Sequence, residues 1–275
     1  MNVTLKVLLI VFLAANVGSS TSAYYKFDKS KSILSAVPTT SKPKNRYLIA
    51  NGIRIHYLEW GRGDSTIVLL HGLYDASDTW SAIAPLLANN YRIIAPDRRG
   101  AGLSDKPVAG YDDQTLARDV ESLIVALKLR HVCLVGHSAG AGVAMTLAAT
   151  TPDRINRLVL VDGGFWPKRE ASPAGLKVQT CEADTAECRR REALERASKE
   201  YDPTKLYARV SVPVLLVLGI PAAAEAKEFA AQLSETRQHV ENVAKNRRYE
   251  SLDTARSTKK LALVIEQFLK LNQYP

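Results

Sequence analysis

Val132 to Val135 form an unbroken apolar run that stops at Gly136-His137-Ser138-Ala139-Gly140 and continues into Ala141-Gly142-Val143-Ala144-Met145-Thr146-Leu147-Ala148. This pattern predicts a buried strand, a sharp turn carrying one serine, and then a helix. In so tight a turn the serine side chain is lifted out at the end of the sheet. Gly136 and Gly140 leave room where strand and helix come close. The backbone amide of Ala139 points toward any negative charge that forms beside the serine, with the positive end of the helix behind it.

The same alternation extends along the chain. Tyr47 to Ala50 and Ile53 to Trp60 flank Asn51-Gly52, a hairpin signal. Thr66 to Leu70 and Ile93 to Ala95 are buried-strand runs, and Trp80 to Ala88 between them has helical spacing. Leu116 to Leu129 is amphipathic, with Leu116, Val120, Leu123, Ile124 and Leu127 on one face. Arg157 to Val161 and Pro213 to Leu218 are further strands. Such alternation predicts an α/β fold: a mostly parallel sheet with helices on both faces. Gly163 to Val212 is polar and contains Pro167, Pro173 and Pro203, with one helix expected over Ala186 to Glu200. It is read as a small cap insertion over the serine. There are no internal repeats.

The chain has 275 residues, enough for one large domain over about 45–275. Residues 1–23 stand apart: Lys6 precedes the apolar run Val7 to Ala15, and Thr21-Ser22-Ala23 offers small residues for cleavage. This predicts a secretory signal peptide and a secreted product, in an extracellular, periplasmic or lumenal compartment. The apolar run is shorter than the ~20 residues that span a bilayer, which favours cleavage over an anchor. No later segment is long and apolar enough to span. Residues 24–44 are polar and read as a linker or loosely docked arm.

Removing Lys6 takes the formal charge from +9 to +8. Arg189-Arg190-Arg191 and Lys245-Asn246-Arg247-Arg248 are local basic clusters, but no nucleic-acid motif accompanies them, and a solvated basic surface is expected. Of the three cysteines, Cys133 lies inside a strand as a core residue. Cys181 and Cys188 are disulfide candidates in an oxidising compartment. Their pairing needs a loop, since one continuous helix would hold them ~10 Å apart along its axis. No metal site is expected, because neither His nor further Cys lies nearby.

Three motifs together resemble the α/β-hydrolase superfamily, specifically its single-domain esterase, lipase and epoxide-hydrolase-like group. His71-Gly72-Leu73 follows the third core strand, with Trp80 beyond it. Asp97-Arg98-Arg99-Gly100-Ala101-Gly102-Leu103-Ser104 is similar to the family's Asp-x-Arg-Gly-x-Gly-x-Ser loop. Gly136-His137-Ser138-Ala139-Gly140 is similar to its nucleophile elbow. The resemblance covers residues 46 to about 165. It implies Ser138 as nucleophile and the backbone N–H groups of Leu73 and Ala139 as the oxyanion hole. It also implies a loop-shaping role for His71 and a bracing role for Asp97, Arg99, Gly100 and Gly102. The implied ligand is a small molecule, with no cofactor.

The resemblance also implies an acid and then a histidine after the serine. Ala222 stands where the acid belongs, leaving Glu225 or Asp162 as candidates. Counting back from a final helix over Leu261 to Leu271, the histidine falls near Glu250 or Ser251, and the chain has neither there as histidine. The eighth strand is weakened, since Val243 to Tyr249 is polar and basic. His239 is the one histidine after Ser138. It lies 17 residues beyond Ala222, or ~26 Å down a helix, at the opposite pole.

Two functions therefore stand side by side. One is a hydrolase of carboxylic esters or related acyl bonds with low or non-standard activity, its base supplied by Glu250 or His71. The other is a catalytically inactive homologue that binds a small molecule or a protein. A third origin for the pattern is an altered C-terminal portion on an otherwise ordinary enzyme. Oligomeric state is not legible.

Overall fold

The computed structural model describes residues 10–12, 42–163, 185–200, 206, 209–212, 214–217 and 255–270. Its centre is an eight-stranded mixed sheet. The strands are β1 (Ile10–Phe12), β2 (Lys44–Ala50), β3 (Ile53–Trp60), β4 (Thr66–Leu70), β5 (Arg92–Pro96), β6 (Val132–His137), β7 (Ile155–Val161) and β8 (Val214–Val217). They lie in the order β1-β8-β7-β6-β4-β5-β3-β2. The β4, β5, β6, β7 and β8 pairings are parallel, and the two edges are antiparallel.

β2 and β3 form the expected hairpin. Asn51 at φ 47 and Gly52 at φ 77 supply the two left-handed residues that a two-residue turn of matching twist requires. β2 begins at Lys44, so the arm read over 24–44 ends inside the sheet. β1 lies within the segment read as a leader and runs antiparallel to β8, Ile10 opposite Leu216. The residues expected to form an eighth core strand, 243–249, lie outside the described residues.

Alternate residues of each parallel strand face opposite sides, as strand geometry demands. Val68, Leu70, Leu134, Leu158 and Leu160 pack on one side with α2 (Asp113–Ala126) and α3 (Ala139–Thr150). Ile67, Leu69, Val135, Val159 and Val161 pack on the other with Trp80, Ile83, Leu87 and the last helix. Full burial of each such aliphatic side chain stabilises by about 1.5–3 kcal/mol, which makes the two-faced core the main support of the fold.

The helix expected over Trp80 to Ala88 is instead a 3-10 turn, Ser77–Trp80, and one helical turn, α1 (Ala84–Leu87). Pro85 in the first turn of α1 has no N–H to extend a helix backward from that point. α2 starts where Asp112 caps it, accepting a hydrogen bond from Thr115 N at 2.9 Å. It ends at Ala126, before Lys128 turns left-handed at φ 54. α4 (Ala186–Glu200) is the one helix expected in the cap, and its Ala193, Leu194 and Ala197 pack on the α2/α3 side of the core. α5 (Ala255–Lys270) is the final helix, starting six residues earlier than the apolar spacing alone indicates.

Candidate active site

Ser138 stands between the end of β6 and the start of α3 with φ 50 and ψ −118. That conformation is strained for a residue with a Cβ, and it persists because the neighbours determine it. Ser138 N donates to Val161 O at 2.9 Å, tying the turn to the end of β7. A Cβ on Gly136 would lie 2.5 Å from Ala141 Cα, and one on Gly163 would lie 2.4 Å from Ser138 O. A Cβ on Gly140 would lie 2.4 Å from Leu70 O and 2.5 Å from His71 O. The start of α3 therefore packs directly on the loop that carries Leu73. The Ala139 and Leu73 amides belong to these two abutting segments.

Asp162 follows β7 at the same end of the sheet, at φ 47, and its N–H donates to Val217 O at 3.0 Å. Its charge also reaches His137. Burial pushes the His137 imidazole below its ordinary value, while the carboxylates of Asp162 and Asp75 oppose that shift. His137 Nδ1 lies 4.0 Å from Asp75 Oδ2. Of the other acid and base candidates, Glu225, Glu250 and Ser251 lie outside the described residues, as does His239.

His71 is not free to act as a base. Arg98 N donates to its Nε2 at 3.0 Å, so Nδ1 carries the proton and donates to Gly72 O at 2.9 Å. Burial first, then the Arg98 charge, bring its pKa down to about 3. The imidazole is thus neutral and its one lone pair is occupied, which overturns the expectation that His71 could take the proton of Ser138. His56 is committed elsewhere: Nδ1 meets Asp97 Oδ2 at 2.8 Å and Nε2 meets Asn45 Oδ1 at 2.9 Å.

The 97–104 loop is held from within. Asp97 accepts hydrogen bonds from Ser77 N at 2.7 Å, Leu103 N at 2.7 Å and His56. Burial alone would raise its pKa, but these donors outweigh burial and hold it below the ordinary carboxylate value. Gly102, at φ +47, leaves Asp97 its space, since a Cβ there would lie 2.1 Å from Asp97 Oδ2. Arg99 forms a two-point pair with Asp119, 2.7 and 2.8 Å, and Asn51 donates to the same carboxylate at 2.7 Å.

Asp113, at the start of α2, departs the other way. Burial raises its pKa to about 7, against the opposing Arg98 charge. A folded-state pKa above the unfolded value adds stability that is full below pH ~4 and is lost as pH rises toward about 7. Asp113→Asn is expected to flatten that stretch of the curve. Urea midpoints at pH 4.5 and pH 7.5 should differ less in the variant than in the parent, and an unchanged difference would refute the assignment.

A cavity of about 600 Å³ opens between residues 71–79, the 98–106 loop and α4. Leu73, Arg98, Asp75, Arg190 and Arg191 are on its walls. Tyr74 donates to Glu195 at 2.5 Å, fastening α4 across the loop. The sequence motifs assign no role to Arg98 or Asp75. The available signal was an arginine at the free second position of Asp-x-Arg-Gly. Arg190 and Arg191 stood out as a basic cluster, but only the tertiary structure turns them toward the cavity. The candidate disulfide is half visible: Cys188 is disulfide-bonded, Cys133 is free and buried, and Cys181 lies outside the described residues. Thr185 precedes α4 as irregular chain, so that helix does not run back toward Cys181.

The sheet order, the strained serine and the two abutting segments define the architecture of the alpha/beta hydrolase fold. The chain belongs to that family, whose model matches residues 65–256. It is 40% identical over 112 residues to the soluble epoxide hydrolase of Corynebacterium sp. strain C12, covering 41% of this chain and 39% of that protein. It is 38% identical over 135 residues to the non-heme chloroperoxidase of Streptomyces lividans, covering 47% and 49% respectively. The chain thus spans less than half the length of these curated relatives. The crystal structure of the N-formylmaleamic acid deformylase from Pseudomonas putida S16 superposes with a TM-score of 0.60 at 24% identity, covering 70% of this chain and 88% of that one. That likeness is one of fold.

Proposed function

We propose that the chain is a serine hydrolase of carboxylic esters or related acyl bonds, with Ser138 as nucleophile. The observation that carries this reading is the strained φ/ψ of Ser138 at the start of α3, beside the loop bearing Leu73. The Leu73 and Ala139 amides would hold the oxyanion, which stabilises charge where it develops. Asp162, at the neighbouring strand end, is the best-placed acid among the described residues. With His56 and His71 committed and no histidine at 250–251, the base is non-standard and turnover is low. Serine enzymes that lack triad members still exceed water by ~10³–10⁴. The same commitment of the histidines supports the second reading, an inactive homologue that binds a small molecule.

The test is labelling of the full chain by a fluorophosphonate probe, with short-chain aryl ester turnover in parallel. Ser138→Ala is expected to lose both signals. Absence of labelling and turnover in the parent would leave the binding reading. Secretion is part of the proposal and rests on Lys6 and the following apolar run. Cleavage near Ala23 would remove β1 from the β8 edge, and N-terminal sequencing of the exported product would reveal it.

A further inference from the structure

The cavity beside Leu73 is lined by an arginine that forms no ion pair among the described residues. Arg98 is 7% exposed and lines the cavity, yet its guanidinium makes one hydrogen bond, Nη2 to Gly72 O at 2.8 Å. Its Nε has no hydrogen-bond partner, and no described carboxylate lies within 4.0 Å of it. The other cations around the cavity differ. Arg99 is taken up by Asp119, and Lys106 donates to Gly102 O at 2.6 Å. Arg190 pairs with Glu187 on its own helix, although its Nε is likewise buried without a partner. Arg191 makes interactions of its own.

Among the described residues, three carboxylates face the same space. Glu187 is engaged by Arg190, Asp75 leans toward His137, and Asp78 lies in the 3-10 turn. Burial brings the Arg98 pKa down to about 10, against the opposing charges of Asp113 and Asp75. An arginine nine-tenths buried without an ion-pair partner is costly, and a bound anion would offset that cost. Its planar fork matches a carboxylate in two-point geometry. The volume, about 600 Å³, is that of a small-ligand pocket.

We propose that this cavity is a binding site for a small organic carboxylate, with Arg98 as the anchoring cation and Arg190 as its support from α4. The wall formed by Leu73 connects it to the candidate oxyanion loop. The carboxylate would then belong to an acyl compound carrying a second, anionic group at its far end. That last step rests on the proposed hydrolase function, whereas the binding site itself does not.

The experiment is calorimetric titration of the full chain carrying Ser138→Ala, so that binding is read without turnover. Succinate is the probe, succinamide its uncharged counterpart, and inorganic phosphate a competing anion. Succinate is expected to bind and succinamide to show no binding. Arg98→Gln should weaken succinate at least about tenfold, the loss of one charge-assisted contact. Arg190→Gln, on the outer helix, should weaken it by about threefold and gives a second readout should Arg98→Gln fail to fold. Equal binding of succinate and succinamide, or no effect of either variant, would overturn the proposal. Phosphate competing as well as succinate would overturn the carboxylate assignment in favour of a general anion site. Absence of ester turnover in the parent would count against the hydrolase reading alone.

Discussion

Asp119→Ala is expected to destabilise the protein by about 3–5 kcal/mol, the cost of breaking a buried ion pair from one side. Asp119 is 4% exposed on α2, and its two oxygens accept Arg99 Nε and Nη2 at 2.7 and 2.8 Å. Asn51 from the β2–β3 hairpin donates to it as well. One carboxylate therefore connects α2, the 97–104 loop and the sheet edge. Its removal leaves a guanidinium 8% exposed with no partner and a hairpin amide unsatisfied. Asp119→Asn keeps an acceptor and should cost distinctly less. Urea unfolding of the three proteins measures the order. A loss below about 1 kcal/mol for alanine would mean that Arg99 finds solvent instead, as exposed pairs do.

Gly140→Ala is expected to be comparably severe and to act on the site itself. The added methyl carbon would lie 2.4 Å from Leu70 O and 2.5 Å from His71 O. Both are backbone atoms at the end of a fully buried strand, so neither can swing aside as a flexible side chain would. Either α3 moves outward or the His71–Leu73 loop does. Overpacking of this kind costs about 1–3 kcal/mol, and more where backbone must shift. Because those two segments carry the Ala139 and Leu73 amides, fluorophosphonate labelling of Ser138 should fall even in the folded fraction. Thermal melting followed by labelling below the transition separates the two effects. Labelling at the parent rate in a destabilised variant would dissociate the amides from reactivity.

Much of this architecture was legible from local pattern. The run Val132 to Val135 followed by Gly136-His137-Ser138-Ala139-Gly140 specified strand, turn and helix, because period and glycine placement act over a few residues. Asn51-Gly52 specified the hairpin for the same reason. Failures came where pattern and backbone chemistry compete. Helical spacing over Trp80 to Ala88 concealed a break that Pro85 imposes.

The roles of the charged groups were a different matter. The loop motif singles out Arg99 and leaves Arg98 at its free position, but the partner of neither is legible from local spacing. Arg99 meets Asp119, 20 residues away, while Arg98 has no ion-pair partner among the described residues and lines a cavity wall shared with α4. His71 could be placed on its loop from sequence, but its tautomer depends on Arg98 N, 27 residues on. Sequence by itself determined the order of strands and helices and the serine that their junction exposes, since these follow from short-range sterics and hydrophobic period. Which cation is paired, which imidazole is occupied and which arginine lines a cavity without an ion-pair partner among the described residues were decided by the tertiary structure alone, because electrostatic partnership depends on distance in space and on burial, and neither is written in the spacing of residues along the chain.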